Sequence, residues 1–205
     1  MTSPIVFGSL FSTFARTVVL ALEEKGVAYE LRATIPHSKA LVGLHPFGKV
    51  PAFEHGDVRL CETLAIVSYV NEAFEGPALT PTAPLERAEM LKWISLLSDS
   101  VYAAVVKGWL IHYAFPRGPE GKPDIAAIEA GLPKARRALE VVDRALEGRK
   151  YLAGDALSLA DLYLAPIVSS VPMFPGGPEL LEGLERLKRL EAELEARPSF
   201  VKTKR

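Results

Sequence analysis

The apolar positions of the first third of the chain predict strands and helices in alternation. Residues 5–7 form a short apolar run closed by Gly8, which predicts a buried strand. Apolar side chains then recur at four-residue spacing from Phe14 to Leu22, which predicts a helix ending at Lys25-Gly26. A second strand is predicted over 27–32.

A hairpin and another helix are predicted next. The bond Val50-Pro51 opens a short strand over 52–54, and proline is tolerated at the first residue of a strand. The turn residues 55–57 and the run 58–61 predict a hairpin, and a helix is expected from about Thr63 to Phe74. This order of elements is the thioredoxin-like arrangement, which we place in residues 1–76.

The second part of the chain is predicted to be helical. Three prolines and no helical period in residues 77–84 indicate a linker. Helical patterns follow over 85 to about 115, from Asp124 to 146, from Ser158, and over 180–196. Pro133 predicts a kink or a later start of the second of these helices. No two-residue alternation follows residue 85, so we predict an all-helical domain over 85–205.

Composition disfavours several classes of partner and location. The 205 residues include 24 basic and 25 acidic side chains, for a net charge of -1, which disfavours a nucleic-acid partner. The single cysteine, Cys61, cannot form an internal disulfide, which is typical of a reducing compartment. No apolar run approaches the roughly 20 residues of a membrane span, and no signal peptide is recognisable. We expect a cytoplasmic protein without a membrane partner.

Two motifs resemble a known family. The run 45–51, His-Pro-Phe-Gly-Lys-Val-Pro, and the run 62–66, Glu-Thr-Leu-Ala-Ile, resemble the glutathione-binding half of the cytosolic glutathione S-transferases, of the serine type found in phi- and theta-like bacterial relatives. The family usually has Asn at the position of His45 and Ser at that of Thr63. The first exchange is expected to lose a turn hydrogen bond, whereas Thr63 keeps the hydroxyl.

The resemblance continues in the second half and implies a fold. The run Ser158-Leu159-Ala160-Asp161 resembles the start of a core helix in the family's second domain, and Ser158 and Asp161 stand in a capping-box relation, a structural role. The implied fold class is α/β plus all-α: a thioredoxin-like N-terminal domain followed by a helical-bundle C-terminal domain. The family also implies a homodimer.

The implied activity is conjugation of the glutathione thiolate to hydrophobic electrophiles. The segment 8–16 resembles the one in which a serine, four residues before an arginine, contacts the sulfur, so Ser12 is the catalytic candidate. Ser9 and Thr13 are rival hydroxyls, and a plain N-cap is the structural alternative for Ser12. We expect Arg16 to hold the loop structurally.

Glutathione is the implied co-substrate, with no metal and no tightly bound cofactor. The resemblance implies that Glu62 binds the γ-glutamyl amine, that Thr63 binds the γ-glutamyl carboxylate, and that the Val50 backbone, next to structural Pro51, pairs with the cysteinyl part. Candidates for the glycyl carboxylate are Lys49, Lys39 and His37. In the structural alternative, Glu62 and Thr63 only cap a helix and the lysines are merely solvated.

Aromatic and apolar side chains are candidates for the electrophile site: Leu10, Phe11, Trp109, His112, Tyr113 and Phe115, with Met173 and Phe174 nearby in the second half. The alternative for an aromatic cluster is a protein core.

Other functions stay open at this point. The fold would equally suit a non-catalytic glutathione- or ligand-binding scaffold, or a glutathione-dependent isomerase, dehalogenase or peroxidase. Thiol–disulfide exchange is disfavoured because the chain has no Cys-x-x-Cys, and Cys61 lies in an apolar strand where a buried, inert thiol is expected.

Overall fold

The computed structural model describes residues 2–204 and divides them into two compact units. The first runs to Thr80 and also includes the residues from Glu195 onward, and the second is Pro81–Leu194. The boundary falls inside the segment predicted as a linker. The sequence assigned everything after residue 84 to the helical domain, but the end of the chain belongs with the first unit.

A four-stranded sheet organises the first unit. Its elements are β1 (Ile5–Gly8), α1 (Thr13–Glu24), β2 (Glu30–Ala33), β3 (Ala52–His55), β4 (Val58–Cys61) and α2 (Thr63–Ala73). The strand order is β2-β1-β3-β4, with β1 parallel to β2 and antiparallel to β3, and with β3 antiparallel to β4. This confirms the predicted thioredoxin-like sheet.

The second strand begins three residues later than its sequence suggests. Gly26 adopts a left-handed φ of 68°, and the Val27 N–H donates to the Leu22 carbonyl at 2.9 Å. These residues close the last turn of α1, as glycine does at many helix ends. The apolar residues after Gly26 therefore belong to the helix end, and β2 starts only at Glu30.

Helices make up the second unit. They are α3 (Pro84–Leu96), a π-helical segment (Leu97–Leu110), α4 (Ile111–Ala114), α5 (Ile125–Ala145), α6 (Leu159–Val168), α7 (Gly177–Leu180) and α8 (Glu185–Glu195). Within residues 2–204, no strand follows β4. The helical-bundle prediction for this part of the chain is confirmed.

One long helical span, Pro84–Ala114, runs from α3 through α4. By length and composition it is apolar enough to cross a membrane, a criterion that core helices of water-soluble domains also meet. The π-helical segment crosses α5 at Gly131, where a Cβ would lie within 1.9 Å of the Gly108 carbonyl oxygen.

The structure confirms one helix prediction of the second unit and corrects another. α5 begins at Ile125, after the N-cap Asp124, as the pattern from Asp124 to 146 predicts. It contains Pro133, so of the two alternatives for that proline the later start does not occur. The helix predicted over 180–196 is broken: α7 ends at Leu180, and Gly183 has a left-handed φ of 73° before α8 begins.

Charged residues fasten the end of the chain to α1. Helix α9 (Pro198–Lys202) follows Arg197, whose Nε and Nη2 donate to the two carboxylate oxygens of Glu24 at 2.7 and 2.6 Å. The Ser199 hydroxyl also donates to Glu24. Burial alone would raise the pKa of Glu24, but these hydrogen bonds and the guanidinium charge hold it below its usual value. The buried Arg16 guanidinium lies 5.6 Å from the Phe200 ring centre, consistent with the structural role expected for it.

A buried carboxylate starts α6. Asp161 accepts hydrogen bonds from the Leu152 N–H at 2.9 Å, the Ser158 N–H at 2.9 Å and the Ser158 hydroxyl at 2.8 Å. Burial raises the pKa of Asp161 to about 6, although these hydrogen bonds act in the opposite direction. Asp161 and Ser158 therefore have the structural role that the sequence suggested.

Asp161 makes the stability of the protein pH-dependent in a defined window. Because native Asp161 holds its proton more tightly than the unfolded chain does, its stabilising contribution is complete below about pH 4 and is lost as the pH rises through about 6. Relative to Asp161→Asn, we expect the free energy of unfolding of the wild type to fall by roughly 3 kcal/mol between pH 4 and pH 7. Urea denaturation of both proteins at several pH values measures this difference; parallel pH curves would contradict it.

Candidate functional site

Ser12 lies at the N-terminus of α1 with its hydroxyl partly exposed. It is the N-cap residue, with φ -79° and ψ 120°, and its Oγ accepts a hydrogen bond from the Ala15 N–H at 3.3 Å. Since the Oγ acts only as an acceptor in that bond, its own proton is available to another group. The N-cap role and the predicted catalytic role are thus compatible.

The rival hydroxyls are placed less favourably. Thr13 is buried, and Ser9, whose Oγ accepts a hydrogen bond from the Phe11 N–H at 3.3 Å, lies in the loop three residues before the N-cap of α1. Phe11 itself is 74 % exposed, and Leu10 is half-buried in the same loop. Ser12 is therefore the hydroxyl that best combines a helix N-terminus with access from outside.

Gly8 has the first turn of α1 and the side chain of Val50 as neighbours, and the Val50-Pro51 peptide is cis. A Cβ at Gly8 would lie 2.7 Å from the Cβ of Ala15 and 3.7 Å from that of Val50. Within residues 2–204, no hydrogen bond to the N–H or C=O of Val50 is formed. An extended peptide next to α1 can therefore pair with this backbone.

The loop before Val50 carries the predicted cationic candidates. The His37 N–H donates to the Gly48 carbonyl at 2.6 Å, and His37 adopts a left-handed φ of 63°. Lys39 begins a short 3-10 helix on the surface, and the Nζ of Lys49 lies 5.8 Å from the centre of the Phe47 ring. His37 and Lys49 thus flank one turn, which leads into Val50.

Glu62 and Thr63 stand at the N-terminus of α2. Glu62 has a left-handed φ of 67°, makes no side-chain capping bond, and keeps a side chain that is 71 % exposed. The plain capping role considered for Glu62 is therefore wrong. A strained backbone at an exposed carboxylate, next to the free N–H groups of a helix start, is typical of a ligand-binding position. Thr63 is buried at the first turn.

The aromatic candidates of the second unit form a stack. The Tyr113 ring packs edge-on against Trp109 at 5.7 Å and stacks on Phe174 at 5.6 Å. Trp109 is 0 % exposed, so the prediction that it lines an open site is wrong; it is a core residue. His112 and Tyr113 are half-buried, and Phe115 is exposed.

His45 lies beside the candidate site, and reasoning from the sequence did not include it there. It departs from the family's Asn, and that departure was the available signal. The structure buries its imidazole, and its Nδ1 accepts a hydrogen bond from the Phe47 N–H at 3.1 Å. The turn hydrogen bond is therefore present. Cys61, expected to be buried, is half-buried at the end of β4.

Comparison with known proteins identifies relatives over nearly the whole chain. Residues 6–78 match the family model "Glutathione S-transferase, N-terminal domain", and residues 99–198 match "Glutathione S-transferase, C-terminal domain". The chain is 32% identical to glutathione S-transferase 1 of Zea mays over 203 residues, 96% of this chain and 94% of that protein. It is 33% identical to a probable glutathione S-transferase of Nicotiana tabacum over 160 residues, 77% of this chain and 66% of that protein.

A solved structure shows that the fold is also shared. Glutathione S-transferase I from mais, in complex with an atrazine glutathione conjugate, superposes with a TM-score of 0.86 at 29% identity, covering 98% of this chain and 96% of that one.

The close approach at Gly8 gives a testable expectation for stability. Gly8→Ala should lower the free energy of unfolding by about 1–3 kcal/mol, because the new methyl group overlaps Ala15. The same change in an Ala15→Gly background should cost much less, since that change removes the opposing Cβ. Thermal unfolding of the four proteins, followed by circular dichroism, measures the coupling; additive effects would mean that α1 is not held at this distance.

Proposed function

The chain belongs to the glutathione S-transferase family and is a glutathione transferase, and from that premise we propose that Ser12 activates the thiol of glutathione. One observation carries this proposal: the half-buried Ser12 caps α1 through its hydroxyl, and the first turn of that helix packs at Gly8, which also has the Val50 side chain as a neighbour.

The chemistry follows from the position of that hydroxyl. A free thiol has a pKa near ~8.5, so little thiolate is present at neutral pH. A hydrogen bond from the Ser12 O–H to the sulfur and the positive end of α1 favour the thiolate and lower that pKa. The thiol proton passes to solvent. The thiolate then forms a bond to the electrophilic carbon, and in a substitution the leaving group departs with its electron pair. In an addition the π pair of the substrate's double bond moves to the far atom, which takes up a proton from solvent.

The rest of the tripeptide is proposed to extend along the open edge of Val50. Glu62 receives the γ-glutamyl amine, and the α2 N-terminus with Thr63 receives the γ-glutamyl carboxylate; the strained φ and the exposure of Glu62 support this. Lys49, with Lys39 or His37, is proposed for the glycyl carboxylate.

The hydrophobic electrophile is proposed to contact Leu10 and Phe11. These residues precede Ser12 in the same loop, and the exposure of the Phe11 ring supports the proposal. For His112, Tyr113 and Phe115 of the second unit, contact with the electrophile stays a prediction.

A homodimer is proposed as the working form, in a cytoplasmic location. Val42 and Phe47 leave two large apolar side chains exposed on the surface of the first unit, as expected for an interface between copies. Sedimentation at micromolar concentration should show a dimer; a monomer at every concentration would contradict this.

Substitutions at position 12 separate capping from catalysis. We expect Ser12→Ala to lower kcat/KM for an aryl halide on the order of 10- to 100-fold and to move the acidic limb of the pH–rate profile toward ~8.5. Ser12→Asp keeps a good N-cap but puts a negative charge beside the sulfur, so stability should stay while activity falls. Ser12→Thr keeps the donor and should remain active.

An unchanged rate and pH profile in Ser12→Ala would assign sulfur activation to another group. Binding of glutathione by the wild type without turnover of any of a broad set of electrophiles would instead favour a carrier protein on the same fold. Calorimetric titration with glutathione, run beside the kinetics, distinguishes these two results.

A further inference from the structure

An imidazole takes the place of an amide in the turn that leads to Val50. The Nδ1 of a histidine and the Oδ1 of an asparagine are separated from Cα by the same number of bonds. In His45 the Nδ1 accepts a hydrogen bond from the N–H two residues later, at 3.1 Å, which is the contact of an Asx turn. The His45 carbonyl accepts from the Gly48 N–H at 3.0 Å and closes the same turn.

The hydrogen bond to Nδ1 determines where the imidazole proton lies. A neutral imidazole has one donor and one acceptor nitrogen, so an acceptor Nδ1 places the proton on Nε2. The Nε2 of His45 lies 3.7 Å from Oε1 of Glu62. The His45 side chain is only 3 % exposed, so its ring cannot turn away into solvent.

The His45 ring also packs against Phe47. Its centre is 6.4 Å from that of Phe47, in an edge-on arrangement, and the Nζ of Lys49 lies 5.8 Å from the same Phe47 ring. The buried His45 ring thus has both the Glu62 carboxylate and the Phe47 ring as neighbours.

We propose that His45 is a positioning residue, which holds the Glu62 carboxylate where it meets the γ-glutamyl amine of glutathione. This rests on the proposed function, in which Glu62 receives that amine. The donor face of Nε2 attracts the carboxylate and limits its rotamers, so less conformational entropy is lost when glutathione binds. An Asn at this position keeps the turn but has no atom that reaches Glu62.

The first test is a double-mutant cycle at positions 45 and 62. His45→Asn preserves the turn acceptor and should raise KM for glutathione about two- to fivefold with kcat unchanged, the size expected for one partly exposed electrostatic contact. Glu62→Gln should raise KM more, and His45→Asn should add nothing in the Glu62→Gln background. His55→Asn, a change of the same type at a histidine paired with Tyr69, should leave both constants unchanged.

The second test needs no change at His45 and so does not depend on the folding of that variant. In the wild type labelled with 15N-histidine, NMR should show the proton of the His45 ring on Nε2, and Glu62→Gln should shift that resonance. Glu62 is exposed, so its replacement leaves the core intact.

The results of these tests distinguish failure of the His45 positioning role from failure of the proposed glutathione contacts. Turnover by the wild type with a KM that depends on Glu62 but not on His45 overturns the positioning role alone, as do additive effects in the cycle or a proton on Nδ1. Absence of conjugation, or a KM that is indifferent to Glu62, overturns the proposed glutathione contacts and this inference with them.

Discussion

The approach of α1 to the end of β1, made possible by the missing side chain of Gly8, is the constraint on which the first unit depends. With a hydrogen at that position, Ala15 in the first turn of the helix packs against the strand, and Val50 lies near the same glycine. The first turn of α1, whose N-cap is Ser12, is thereby held beside the strand. The position of the proposed site thus depends on one packing contact.

Local patterns were sufficient for most of the fold. Apolar runs and four-residue spacing identified β1 and α1, and turn residues identified the hairpin, because neighbours in sequence decide these elements. The π-helical segment was not predictable, since its buried Val101, Val105 and Trp109 also fit α-helical spacing. The break before α8 was missed because Leu184 and Leu187 continue a helical pattern across Gly183, whose left-handed backbone no periodicity can reveal.

The site residues likewise fall into two groups: those that local sequence motifs identify, and those whose role depends on contacts distant in sequence. Ser12 and Glu62 could be named from motifs, because each stands at a helix start that the sequence shows. The burial of Trp109 depends on packing partners elsewhere in the chain, and composition alone does not distinguish a core aromatic from an exposed one. His45 was missed because its partner Glu62 lies far along the chain, and only the folded sheet brings the imidazole and the carboxylate together.

The contacts of Arg197 and Phe200 with α1 have a consequence for folding during synthesis. The thioredoxin-like unit is assembled from two stretches of sequence with the whole helical unit between them. During synthesis of the intervening helices, Arg197 is not yet present to bind Glu24, and Phe200 is not yet present to pack on Arg16. The nascent first unit is therefore incomplete at that stage. The first unit can therefore be completed only after the whole helical unit, Pro81–Leu194, has been synthesised.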